Sequence, residues 1–189
     1  MGRRPGGIVG IDYSMTSPSV CTFSGNKFSY KNCNFFYLTD KKKLEGKSNN
    51  LNGTLISEYL SAQERFDNIS NWALSKILHL DPSHVYIEDY SYGSTGRVFN
   101  IAENLGLLKH KLWTLKVNFS TIPPTVIKKF ATTKGNADKA KMEEAFISET
   151  GVDIKKILGL TPSQWNPSSD IIDSYFICKY GYEQTLHTK

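Results

Sequence analysis

The chain has 189 residues, 39% hydrophobic and 12% aromatic, enough to bury one sizeable core and too apolar for a disordered chain. A net charge of +5 raises the weight of a polyanionic partner such as nucleic acid, and no apolar run reaches the length of about 18 residues that a membrane span needs. Residues 1–6 form a short basic tail with no apolar signal core behind it, and Cys21, Cys33 and Cys178 lack CxxC spacing. Reduced core thiols in an intracellular, single-domain protein over residues 1–189 are the expectation.

Residues 7–14, GIVGIDYS, alternate around Val9 and Ile11 and predict a buried strand, with Asp12 where the buried pattern stops. SPSVCTFSG and KFSYKNCNFFYL predict two more strands, joined by a turn at Gly25-Asn26. Residues 39–53 are polar, lysine-rich and punctuated by glycine, which predicts a mobile loop. In SEYLSAQERFDNISNWALSKIL, Leu60, Phe66, Ile69, Trp72, Ala73 and Ile77 keep helical spacing, and Ser61 with Glu64 makes a capping box. Asp81-Pro82 ends that helix. HVYIED predicts a buried strand that brings Glu88 to its end, while Asp89 faces the opposite side and is expected in solvent. A helix over NIAENLGLLKHKLW, a strand over KVNFSTI, a turn at Pro123-Pro124 and helices near 137–150 and 168–181 complete the chain. A strand meander followed by strand–helix units predicts an α/β architecture with a mixed sheet flanked by helices.

The segment SSDIIDSYFI sets Asp170 and Asp173 one turn apart on one helix face. Two carboxylates so placed repel each other and titrate together unless a cation lies between them. Ser168, Ser169 or Asp170 could instead cap the helix, with Asp173 favourable in its first turn. Asp12 and Glu88 at two strand ends enlarge the set to four carboxylates, which suits a pair of hard cations such as Mg²⁺ and phosphodiester hydrolysis. Lys128, Lys129, Lys134, Lys139 and Lys141 crowd around a predicted helix start near Ala137. Such a run is either a solvated basic face or a phosphate-binding surface.

GIVGIDYSMTSPSV, VYIEDYSYGSTGRVFNIAENLGLLKHKLW, TVIKKFATTKGNADKAKM and SSDIIDSYFICKYG occur in order, and together they resemble RuvC-type Holliday junction resolvases of the ribonuclease H-like fold. The resemblance runs from about Gly7 to Tyr180. It implies a five-stranded mixed sheet, with Asp12, Glu88, Asp170 and Asp173 as catalytic ligands of two Mg²⁺ or Mn²⁺ ions. It aligns Lys128 and Lys139 with functional lysines of the family and makes Lys139 a candidate for balancing transition-state charge. The substrate it implies is branched DNA, cut as a four-way junction by a homodimer. The dimer contact would be the helix after Glu88, whose Ile101, Leu105, Leu108 and Leu112 form one apolar stripe beside Gly106, Leu107 and Trp113.

Where the family reads GIDPG this chain has GIDYS, and the 39–53 loop is longer. Tyr90, Tyr92 or Phe99 could serve as the aromatic wedge that opens a junction, with Tyr92 counted among the DNA-contacting residues. No histidine falls beside the final acidic pair. The competing readings are a ribonuclease H or flap nuclease with the same ligands, an ATP-binding protein of the actin and sugar-kinase type, and a catalytically silent DNA-binding scaffold. An ATPase of that type needs a second domain and a second glycine-rich phosphate loop, for which the chain is short.

Overall fold

A computed structural model of the protein describes residues 6–90 and 98–187. In chain order the elements are β1 (Gly7–Asp12), β2 (Ser19–Phe23), β3 (Cys33–Thr39), β4 (Gly46–Ser48), β5 (Leu51–Leu55), α1 (Ala62–Leu80) and β6 (Pro82–Glu88). Then come α2 (Val98–Thr114), β7 (Phe119–Ile122), α3 (Pro124–Thr132), α4 (Lys139–Thr150), α5 (Ile154–Ile157) and α6 (Ser168–His187). The strands form one mixed sheet in the order β4-β5-β3-β2-β1-β6-β7. β1, β2 and β3 are the antiparallel meander, and β6 and β7 run parallel to β1.

Every residue of β1 is buried because both faces of the central sheet are covered. Val9, Ile11, Val85 and Ile87 point to one face, where they pack with Ile69, Ala73 and Ile77 of α1 and Leu105, Leu108 and Leu112 of α2. Ile8, Cys21, Phe35 and Tyr86 point to the other, beneath Ile171, Tyr175 and Cys178 of α6 and Phe146 of α4. All three cysteines are buried and free, as their scattered spacing predicts.

The sheet has seven strands rather than five. The additional pair, β4 and β5, begins inside the segment 39–53 expected to be a mobile loop, and β5 runs parallel to β3 and antiparallel to β4. Leu44 and Leu51 are buried there, and the Tyr37 hydroxyl donates to the Leu44 carbonyl at 2.8 Å. Edge strands are commonly protected by lysine and other polar residues, which removes the apolar alternation that reveals a strand. Pro123-Pro124 does not merely turn the chain: Pro124 starts α3, at a position where its missing N–H has no helical partner to lose. The capping box is present at α1, where Ser61 Oγ accepts from the Glu64 N–H and Glu64 accepts from the Leu60 N–H. Tyr92 and residues 1–5 of the basic tail lie outside the described residues.

Candidate active site

The position of Asp12 follows from the packing of α6 across β1. A Cβ on Gly10 would lie 2.2 Å from the Cys178 nitrogen and 2.6 Å from the Ser174 carbonyl oxygen, so the helix backbone crosses where only glycine leaves room. Two residues along the strand, ~7 Å away and on the same face, is Asp12. Four residues back along the helix from Ser174, ~6 Å away, is Asp170. The two carboxyls meet because these displacements match, and the Asp170 charge acts directly on Asp12. Ile11 is paired with Ile87 in the parallel β1–β6 register, so the next residues, Asp12 and Glu88, end neighbouring strands on the α6 side. Asp173 lies one turn along α6 and faces Glu88.

Burial holds all four carboxyls above the ordinary carboxylate range, and repulsion by neighbouring carboxylates adds to it at Asp12, Glu88 and Asp173. For Asp12 desolvation is the largest cause, followed by the charges of Asp170, Glu88 and Asp173. Desolvation and Asp173 push Glu88 up to about 8, against the opposing pull of Lys128. Asp173 rises to about 7 by desolvation and the Asp170 charge, with Lys128 and Lys139 opposing. Asp170 is also raised by burial, although the hydrogen bond from Ser17 and the charge of Lys139 counter it.

Hydroxyl groups orient this acidic centre. Ser17 Oγ donates to Asp170 Oδ2 at 2.8 Å, and Ser19 Oγ meets Ser174 Oγ at 3.0 Å. Asp170 Oδ2 therefore accepts from the Ser17 and Ser169 hydroxyls rather than from capping N–H groups of its helix. Lys139, the first residue of α4, reaches Ser169 Oγ at 3.3 Å and Asn166 Oδ1 at 3.4 Å. Lys128 and Lys139 line a hollow of about 150 Å³ together with Glu88, Asp173 and Ser169. Lys129, Lys134 and Lys141 are exposed on the surrounding α3–α4 surface. Lys179 is taken up elsewhere, in an ion pair with Glu149 at 2.8 Å.

All four predicted carboxylates thus come together, with Lys128 and Lys139 beside them, while Lys129, Lys134 and Lys141 stand further out on the same wall. Ser17 and Asn166 belong to the site and escape sequence reasoning, because serine and asparagine in a turn are ordinary turn residues, while Ser169, read from the sequence as a possible cap, instead contacts Lys139. The donor set, all carboxylate oxygen in a desolvated pocket, fits hard divalent cations. Among the described residues no three of these groups are already drawn in to the spacing of a preformed metal cage. A cation among them would offset their mutual repulsion, which supplies a driving force for binding.

No protein-family model and no curated protein matches the sequence. Solved structures do match over nearly the whole chain. Thermus thermophilus RuvC is 17% identical with a TM-score of 0.59, covering 96% of this chain and 97% of that one. The same protein in complex with a Holliday junction substrate is 14% identical with a TM-score of 0.63, covering 95% and 96%. The yeast mitochondrial Holliday junction resolvase Ydc2 is 14% identical with a TM-score of 0.52, covering 90% of this chain and 75% of that one. The chain has the ribonuclease H-like fold that these resolvases share.

Proposed function

We propose that this protein is a metal-dependent, structure-selective DNA endonuclease that resolves four-way junctions by paired phosphodiester hydrolysis. The observation that carries the proposal is the convergence of Asp12, Glu88, Asp170 and Asp173 from two strand ends and one helix into a single desolvated centre. Such a concentration of closely spaced carboxyl groups opposes phosphate binding when ionised, so a role in holding cations accounts for it where a passive scaffold does not. The likeness to RuvC and to a RuvC–Holliday junction complex supports the choice of substrate.

In this reading the four carboxylates hold Mg²⁺ or Mn²⁺. When bound, divalent ions lower the pKa of water and offset charge on the attacked phosphate and the departing oxygen. The chain's own residues supply the rest. Ser17 fixes the orientation of Asp170, and Ser169 and Asn166 hold the Lys139 ammonium beside the carboxylates. Lys128 and Lys139 are the cations that face the phosphate, and Lys129, Lys134 and Lys141 carry the flanking backbone across α3 and α4. Two cuts of like polarity call for two such sites, hence a homodimer.

The deciding experiment compares four-way junction, flap, duplex and RNA–DNA hybrid substrates with Mg²⁺. Paired symmetric nicks in the four-way junction are expected. Preferential cutting of the hybrid or the flap would replace the resolvase reading with that of another nuclease of this fold.

A further inference from the structure

A strand lying across the carboxylates must continue in two directions, and the protein surface differs on the two sides. On one side is the α3–α4 wall with its five lysines. On the other a cleft of about 690 Å³ starts at Ser17 and Asn166, both already tied to the catalytic groups, and runs outward to β5 and the segment before α1. Its charges balance, Lys41 and Arg65 against Asp40 and Glu58. That balance suits hydrogen bonding to a base edge better than a run of phosphates.

The outer wall of the cleft carries the feature that selects its ligand. Tyr59 remains 42% exposed, and the Arg65 guanidinium lies over its ring at 5.0 Å. Arg65 also donates from Nη2 to the Met15 carbonyl at 2.6 Å, which ties this wall to the turn that follows Asp12. Arg65 Nε, and Trp72 Nε1 in the small adjoining pocket, are buried donors with no hydrogen-bond partner among the described residues. A half-exposed aromatic ring backed by a guanidinium is the arrangement that stacks an unpaired base.

We propose that this cleft receives an unpaired nucleotide next to the cleaved phosphate, with Tyr59 as the stacking platform and Arg65 as the residue that positions it. The proposal rests on the nuclease reading for the location of the cut, and it adds a site for strand opening and base preference. Leu55 at the end of β5 and Lys41 in the segment between β3 and β4 build the far bank of the cleft.

The test is photocrosslinking in EDTA of the wild-type protein to four-way junctions carrying 5-iodouracil at successive positions around the branch point, with the crosslinked residue identified by mass spectrometry. One or two adjacent positions are expected to crosslink to Tyr59. Tyr59→Ala should weaken junction binding at least about fivefold, the low end for loss of one base–aromatic stack, whereas Tyr59→Phe should bind like the wild type. No crosslink to Tyr59 from any position, or equal binding by Tyr59→Ala, would overturn the proposal. Tyr59 crosslinking without any Mg²⁺-dependent cleavage would leave the nucleotide site standing and refute the nuclease reading.

Discussion

Glu88 and Asp173 make the stability of the metal-free protein depend on pH in an unusual direction. Unfolded, they ionise near the ordinary values of 4.5 and 3.8, whereas in the fold they are pushed up to about 8 and about 7. The folded state therefore holds more protons between those limits. Their contribution is fully present below the unfolded values and is lost as pH rises through the folded ones. Glu88→Gln should accordingly gain in Tm relative to the wild type as pH is raised from about 5 to about 9 without metal. Thermal melts that run parallel across that window would count against the desolvated cluster. Added Mg²⁺ should raise the wild-type Tm more at the alkaline end, because protons and cations compete for the same oxygens. Asp173→Asn removes a proposed ligand and also removes repulsion of phosphate. Junction cleavage should drop by at least about a hundredfold, since even residues supporting a ligand are worth ten- to a hundredfold, while gel-shift binding is retained. Wild-type-like cleavage by this variant would end the metal assignment. Replacing Lys128 and Lys139 together by Ala should lower the log–log salt slope of binding by about one unit for each phosphate that these lysines neutralise. An unchanged slope would make them solvated surface lysines.

At the level of the element, the site depends on how closely α6 lies on β1. Gly10→Ala would drive a methyl group into the helix backbone at Cys178 and Ser174, atoms that cannot move aside as a flexible side chain would. A loss of about 1–3 kcal/mol in denaturant unfolding is expected, the range for overpacking a core. Cleavage should fall with it, because displaced α6 separates Asp170 from Asp12. A variant as stable and active as the wild type would show that the close approach is not required. The same packing explains what is legible in the sequence. β1, β2, β6, α1 and α6 bury strong periodic patterns, so both the elements and the acidic residues at their ends can be read directly. α3 is hidden by a proline pair that starts a helix as readily as it makes a turn, and α5 is a single turn. β4 and β5 are hidden by the polar composition of an exposed sheet edge. The Ser17 contact to Asp170 joins residues 153 positions apart and has no local signal at all.

The whole molecule raises the question of how one carboxylate centre could make two cuts. The α2 stripe expected to join two protomers is occupied within one chain: Leu105, Leu108 and Leu112 are buried against the sheet and α1. The stripe faces inward because α1 and α2 together must cover the Val9, Ile11, Val85 and Ile87 face. A different line of the same helix is free to meet a partner. Phe99 is 78% exposed and Trp113 is 62% exposed, with Gly106 and His110 between them at spacings of seven, four and three residues that keep to one face. Nothing lies within 4 Å of a Cβ built on Gly106, so a second helix could approach closely there. Two exposed aromatic side chains flanking a glycine suit an isologous contact in which each aromatic crosses to the partner's helix. Light scattering at micromolar concentration should give about twice the 21.3 kDa chain mass. Gly106→Arg, which places a long charged side chain in open space, should return the protein to one chain mass without unfolding it. That monomer is expected to nick a junction once and to lose the coordinated second cut. A wild-type protein that stays monomeric even on four-way DNA would refute the paired arrangement and leave a single-nick nuclease.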